Sequence, residues 1–340
     1  LLNRLGFFNY EYGFTITKRR IALAQLQAEA DEIIIGGGQS ALATAYFLKR
    51  KKVPFVILDD QSQAGGAWLH AWQSLRLFSP HTWSSLSGWM MPTTEHTYPT
   101  RNEVIEYLSA YEQRYQFPTI RPVHVDHIEQ EDDYLDVYAG DQYWRAKAVV
   151  SATGTWSQPH IPNDIGREKF KGIQLHSADY VNAAPFKNKK VIVVGGGNSG
   201  AQILAEVSKV AETTWITTTA PAFLSDDVDG RVLFLRATER LKAQQEGRSL
   251  EQLAGGLGDI VMIDSVKEAR TRGVLHSREP FVAFAEHSVI WADGSTQVVD
   301  AVIWCTGFNP ALNHLRGLGV VGSDQTVAVH NGRSMKVNNL

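Results

Sequence analysis

Short apolar runs that end in glycine recur along this chain. Ile33-Ile34-Ile35 leads into Gly36-Gly37-Gly38-Gln39-Ser40, and Val191-Ile192-Val193-Val194 leads into Gly195-Gly196-Gly197-Asn198-Ser199-Gly200. An unbroken run of β-branched residues predicts a strand buried on both faces, as in a parallel sheet. After each glycine turn the apolar spacing becomes helical. Leu42, Ala45, Tyr46 and Leu48 fall on overlapping faces of Ala41–Arg50, and Ile203, Leu204 and Val207 do so in Ala201–Val210. Val53–Leu58 and Thr213–Thr217 then predict the second strand of each unit. Two further apolar runs, Val149–Gly154 and Asp300–Phe308, also stop at glycine turns. Ile21–Ala30 predicts a short helix, and Val232 to about Gln245 a charged one preceded by a solvated surface segment, Asp226–Arg231. Residues 1–30 form an N-terminal extension to which no function attaches.

A strand, a glycine turn, a helix and a second strand make the dinucleotide-binding unit. In the first, Gly36 permits the tight turn and Gly38 lets a pyrophosphate approach the backbone. Gln39 and Ser40 open a helix whose N–H groups face that ligand, and Ala41 stands where a third glycine is usual. Asp59 lies about 20 residues on, where an acid accepts hydrogen bonds from ribose hydroxyls, with Asp60 beside it. Gly66 and Trp68, in Gly65-Gly66-Ala67-Trp68, suit either a plain turn with a buried ring or a backbone pressed against a flat cofactor. Gly195, Gly197, Asn198, Ser199 and Gly200 repeat the pyrophosphate cradle. The second unit ends in Thr217-Thr218-Thr219, with no acid to hold two ribose hydroxyls and no arginine to clamp a 2′-phosphate. Thr218 and Thr219 therefore predict weak discrimination between NADPH and NADH, with Arg231 the nearest cation in sequence. Ala152, Thr153, Gly154, Thr306 and Gly307 end apolar strands at the sheet edge where α/β folds bind ligands, and Val125 joins them as a cofactor-site candidate. Two dinucleotides in one chain point to hydride transfer, with FAD and NADPH or NADH as the cofactors.

Composition narrows the class. A chain of 340 residues favours two domains. A net charge of -3 gives no reason to expect nucleic acid or an anionic membrane surface, and the apolar runs fall short of the roughly 18 residues that span a bilayer. The single cysteine, Cys305, cannot form a redox pair, and it fits a reducing cytoplasm. Several of the nine tryptophans cluster between Trp68 and Trp89, as core filling or as an aromatic wall near a cofactor.

The segment Phe170-Lys171-Gly172-Ile173-Gln174-Leu175-His176-Ser177-Ala178-Asp179-Tyr180 fits Phe-x-Gly-x-x-x-His-x-x-x-Tyr. This resembles the identifying motif of flavin-containing monooxygenases, the bacterial class B flavoprotein kind. Baeyer–Villiger relatives carry tryptophan where this chain has Tyr180. The Ala152-Thr153-Gly154 and Thr306-Gly307-Phe308 ends extend the resemblance from about Asp31 to Leu340. It implies an α/β fold of two Rossmann-like domains. The FAD domain is split into 31–157 and 299–340, and the linker and NAD(P)H domain, 158–298, is inserted between them. The motif histidine is implied to tune domain geometry and coenzyme docking rather than to move protons.

The resemblance implies insertion of one oxygen atom from O2 into a soft nucleophile, a thioether or amine, through a flavin 4a-hydroperoxide. Phe78, in Leu75-Arg76-Leu77-Phe78-Ser79-Pro80, stands where many members place an asparagine that supports this species, so Phe78, Trp68 and Arg76 are the cleft candidates. The family also continues past the point where this chain stops, with a strand, a Gly-Asp turn and a helix, so a truncated chain is expected. The expected partners are a small-molecule substrate and dioxygen, with a homodimer allowed. Release of hydrogen peroxide as an NAD(P)H oxidase and oxygenation of ketones are the enzyme rivals. A nucleotide-sensing protein is the rival outside enzymes.

Overall fold

The computed structural model describes residues 25–93, 95–163, 165–249 and 258–340. Two compact units divide them. The first takes the described residues up to Gly66, Leu108–Gly154 and Pro310–Leu340, and the second takes Ala67–Tyr107 and Thr155–Asn309.

In the first unit, β1 (Gln25–Ile35), helix α1 (Gln39–Arg50) and β2 (Phe55–Leu58) form the expected turn of sheet and helix. Helix α2 (Arg101–Tyr115) leads to β3 (Thr119–Ile120), and β4 (His127–Glu131), β5 (Tyr134–Ala139) and β6 (Gln142–Ser151) complete the sheet. Its order is β3-β2-β1-β6-β5-β4, parallel from β3 to β6 and antiparallel from β6 to β4. Ile33, Ile34 and Ile57 have no exposed surface, which is why the run carries no polar alternation. Ile33, Ile35 and Leu58 share one core with Val125, Ile128, Trp144, Leu315 and Val337.

One helix expected from the sequence is a strand. Gln25–Ala30 continue β1 and pair in parallel with Gln142–Ala146 of β6, starting with the Gln25 N–H on the Asp141 carbonyl at 2.8 Å. Alanine, leucine and glutamine are good helix formers, but propensity is worth only fractions of a kcal/mol per residue, and pairing with a neighbouring strand overrides it. Residues 21–24 of the same segment lie outside the described residues.

In the second unit, β7 (Ile173–His176), β8 (Lys190–Val194), helix α3 (Asn198–Val207) and β9 (Glu212–Ile216) precede α4 (Arg231–Gln245), α5 (Asp264–Thr271) and β10 (Ser277–Arg278). A three-stranded antiparallel sheet follows: β11 (Ala283–Ala285), β12 (Ser288–Ile290) and β13 (Thr296–Val298). The strand β14 (Ala301–Trp304) then enters the main sheet, whose order is β10-β9-β8-β14-β7 with every pair parallel. Two stretches given above to the first domain thus sit elsewhere. β14 pairs with β7 and β8 of the second unit, which moves the return point from Val299 to Pro310, and Ala67–Tyr107 also belongs to the second unit. Sequence order hides this because β14 closes a gap between two strands that precede it.

Candidate dinucleotide sites

The first turn is built by close approach. Gly36 has φ +104°, in the region that favours glycine. Its N–H donates to the Leu58 carbonyl at 2.7 Å, and a Cβ there would lie 2.6 Å from the Ala152 carbonyl oxygen. A side chain on Gly37 would overlap the Asp59 carboxylate, whereas one on Gly38 would meet no atom within 4 Å. Gly38 is also the N-cap of α1, with no side-chain cap and no acid in the first turn. The helix therefore begins with N–H groups left for a ligand beside open space, and Gln39 and Ser40 are exposed there. Gly66 packs against this turn, since a Cβ on it would be 2.7 Å from the Gly38 Cα. A pyrophosphate fits this cradle.

Asp59 is 1% exposed. Its Oδ2 accepts from Arg121 Nε at 3.0 Å, and Arg121 forks onto both oxygens of Glu112 at 2.7 and 2.8 Å. Burial raises the Asp59 pKa, with Arg121 pulling the other way. Oδ1 has one long bond, 3.4 Å from the Gln61 N–H, so it retains acceptor capacity for a hydroxyl. Asp60 is exposed and bonds Gln61 Nε2 at 2.6 Å. Sequence reasoning missed Arg121 and Glu112, because the pairing of β2 with β3 is what brings Arg121 to the Asp59 end, and Arg121 in turn reaches Glu112 of α2.

At the end of β6, Thr153 Oγ1 donates to the Ala311 carbonyl at 2.8 Å, and Ser151 Oγ lies 3.0 Å from His314 Nε2. Burial lowers the His314 pKa to about 4. Val125 sends its side chain into the core, leaving its backbone for any ligand.

The second turn repeats the design with closer packing. Gly195 has φ +129° and donates to the Ile216 carbonyl at 2.8 Å, and its own carbonyl accepts from Trp215 Nε1 at 2.9 Å. A Cβ on Gly195 would overlap the Cys305 carbonyl, and one on Gly200 would overlap the Gly195 carbonyl. Gly197 is the uncapped N-cap of α3, with nothing within 4 Å of a Cβ. Ser199 is half-buried beside it.

The Asn198 side chain also ties this turn to a neighbouring segment. Its Nδ2 donates to the Asp259 carbonyl at 3.1 Å and its Oδ1 accepts from the Val261 N–H at 2.9 Å. Each end of the amide is thus engaged, with one donor and one lone pair left over. Thr306 is likewise committed, its hydroxyl donating to the His160 carbonyl, while the Gly307 carbonyl accepts from the His160 N–H at 3.0 Å.

Thr217 is buried, and Thr218 and Thr219 are exposed. Arg231 is tied to Asp229 at 2.8 Å. A different cation belongs to this edge. Arg278 ends β10 beside β9, its carbonyl accepts the Thr217 N–H at 3.1 Å, and its guanidinium lies 3.7 Å over the Trp291 ring.

The linker motif is packed rather than exposed. Phe170, His176 and Tyr180 are all buried. His176 Nδ1 accepts from the Ala178 N–H at 3.1 Å, which puts the ring proton on Nε2, and burial lowers its pKa. Its ring meets Phe308 edge-on at 4.8 Å, and Tyr180 contacts Trp72 and Phe186. Among the clustered tryptophans, Trp72 is core while Trp83 is 45% exposed, so they do not form one wall.

Trp68 lies in the 3-10 turn Gly66–His70, and its carbonyl accepts from Arg101 Nε at 3.1 Å. Arg76 is exposed and bridges to Thr100. Phe78 is half-buried, and its carbonyl accepts from the Gly230 N–H at 2.7 Å. The segment read above as solvated surface therefore reaches one of the cleft candidates. Among the described residues, no group of three histidines, cysteines or acids could hold a metal.

The pyridine nucleotide-disulphide oxidoreductase family matches residues 33–339. A flavin-containing monooxygenase from Stenotrophomonas maltophilia shares 49% identity over 92% of this chain and 89% of its own, with a TM-score of 0.84. The chain belongs to the flavin-containing monooxygenases. Curated relatives of this family member include an uncharacterized oxidoreductase, CzcO, of Bacillus subtilis, 29% identical over 89% of this chain and 88% of its own. An indole-3-pyruvate monooxygenase of Oryza sativa subsp. japonica is 27% identical over 81% and 73%. The enzyme is an oxidoreductase that uses FAD and NAD(P)H. Among its described residues, no helix is long and apolar enough to cross a membrane.

Proposed function

We propose that this enzyme inserts one oxygen atom from O2 into a small soft nucleophile, a thioether or an amine, with NADH and NADPH both serving as reductant. The observation that carries the reading is the pair of uncapped helix starts at Gly38 and Gly197, each with open space where a side chain would sit. The first unit holds FAD and the second holds the nicotinamide coenzyme, in a cytoplasmic enzyme. The disulfide chemistry in the broader family's name needs a thiol pair. This chain has only Cys305, whose thiol burial pushes up to about 12.

The chain's own residues supply binding and exclusion. The α1 and α3 N–H groups hold the two pyrophosphates, and Asp59 Oδ1 accepts from a ribose hydroxyl while Arg121 fixes its other oxygen. When bound, the flavin supplies the hydride acceptor and the dioxygen chemistry. The Phe78 ring can neither donate nor accept a conventional hydrogen bond, so its part is to keep water away. Thr218 and Thr219 accept either coenzyme, and Arg278 adds a positive charge at that edge.

The test is a product balance on purified yellow enzyme with methyl phenyl sulfide and trimethylamine. Sulfoxide or N-oxide equal to the coenzyme consumed supports the proposal. Hydrogen peroxide equal to the coenzyme consumed would make the enzyme an oxidase, a reading that Phe78 favours. Turnover of cyclohexanone alone would make it a ketone oxygenase. A coenzyme preference above about a thousand-fold, roughly 4 kcal/mol, would remove the relaxed-specificity part.

A further inference from the structure

The turn Asp229-Gly230 has no part in the chemistry described so far, yet it is built around Phe78. Gly230 has φ -59° and ψ -15°, a backbone conformation open to any residue. Its glycine is required by its neighbour instead. A Cβ there would overlap the Phe78 ring at Cδ2, lie 3.0 Å from Cε2, and come within 2.8 Å of the Phe78 carbonyl oxygen. The Gly230 N–H donates to that same carbonyl at 2.7 Å. One backbone unit thus holds the Phe78 main chain by a hydrogen bond and its ring by contact.

The turn is itself anchored. Asp229 is 8% exposed and accepts three hydrogen bonds, from the Arg231 N–H at 3.0 Å, from Arg231 Nε at 2.8 Å and from the Tyr98 hydroxyl at 3.3 Å. Tyr98 begins the segment that bridges to the stretch just before Phe78. There the Leu77 N–H donates to the Pro99 carbonyl at 2.9 Å and the Arg101 N–H to the Leu75 carbonyl at 2.9 Å. Phe78 therefore has a support on each side, and Asp229 joins the two supports through Tyr98.

We infer that the Asp229-Gly230 turn, tied down by Tyr98, positions Phe78 and so sets how much activated oxygen reaches substrate instead of leaving as peroxide. The inference rests on the water-excluding part given to Phe78 above. Asp229, Gly230 and Tyr98 are positioning residues that act through that ring.

The experiment compares Gly230→Ala, Tyr98→Phe, Phe78→Leu and the double variant Phe78→Leu/Gly230→Ala as FAD-loaded enzymes. Flavin content, the visible flavin spectrum and the peroxide formed per coenzyme oxidised are read for each. Gly230→Ala should raise the peroxide-to-product ratio about fivefold or more, roughly 1 kcal/mol, at unchanged flavin content. Tyr98→Phe, which removes one oxygen atom and leaves the packing alone, should raise it less but measurably. The double variant should raise the ratio by less than the product of the two single effects, because the ring that the new methyl displaces is already gone and only its close approach to the main-chain carbonyl at 78 remains. A merely structural role would give additive losses in melting temperature with no change in that ratio. If Phe78→Leu changes the ratio while Gly230→Ala and Tyr98→Phe do not, the positioning inference is overturned and the Phe78 reading stands. If Phe78→Leu leaves the ratio unchanged, the reading of Phe78 falls and takes the inference with it.

Discussion

Single residues here do more holding than reacting. His314 is an example: it is 5% exposed, bonded to Ser151, and kept by burial at a pKa near 4 instead of 6.5, with His124 adding to the effect. Between those values the unfolded chain binds a proton that the folded state refuses. Its contribution to stability is therefore complete above pH 6.5 and is lost as the pH falls toward 4, by roughly 3 kcal/mol. The drop in melting temperature between pH 7 and pH 4.5 should shrink in His314→Gln, and an unchanged drop would assign the acid sensitivity to other groups. Arg278 supports a second residue-scale expectation. Arg278→Ala should lower kcat/KM for NADPH about fivefold, roughly 1 kcal/mol, and leave NADH unaffected. Equal losses for both coenzymes would show that its stacking on Trp291, rather than its charge, is what matters.

Elements separate two uses of glycine that look alike in sequence. Gly38 and Gly197 face open space, while Gly200 presses on the Gly195 carbonyl between helix and strand. Gly38→Ala should leave the apoprotein melt within about 0.5 kcal/mol of the parent yet weaken FAD binding, as read by titration of apoprotein with flavin. Gly200→Ala should destabilise the apoprotein itself by about 1–3 kcal/mol. The opposite pattern would mean that the two glycines have exchanged roles. The glycine turns, the helices after them and the strand before each were legible because an unbroken apolar run followed by helical spacing has few other readings. Gln25–Ala30 was not, since its strand character comes from a partner more than a hundred positions away in sequence, at Gln142–Ala146. Arg121, Glu112 and the Asp229-Gly230 turn escaped for the same reason: strand pairing and loop packing, not spacing, make them neighbours of Asp59 and Phe78.

For the whole molecule, the question is which reaction two dinucleotides serve. The wider family includes enzymes named for disulfides, and this chain carries one half-buried thiol, pushed up to about 12 by its surroundings. Iodoacetamide at pH 8 should leave NAD(P)H oxidation intact and should label Cys305 far more slowly in the native enzyme than after denaturation, because little thiolate is present. Rapid labelling of the native enzyme with loss of activity would reopen thiol chemistry. The order of the two domains was legible in the motifs, but the exchange point near Pro310 was not, because β14 takes its place by pairing rather than by position.

That strand has a consequence for how the protein is made. β7 and β8 flank a gap that only β14 fills, and the first unit's core takes Leu315 and Val337 from beyond it. On a ribosome adding 5–20 residues per second, roughly 5 to 20 s pass between completion of β8 and arrival of β14. During that interval two strand edges of the nascent chain wait without their central partner, and neither core is closed. The fold is thus sealed late and nearly all at once, which makes the nascent chain a natural client for chaperones that shield exposed sheet edges.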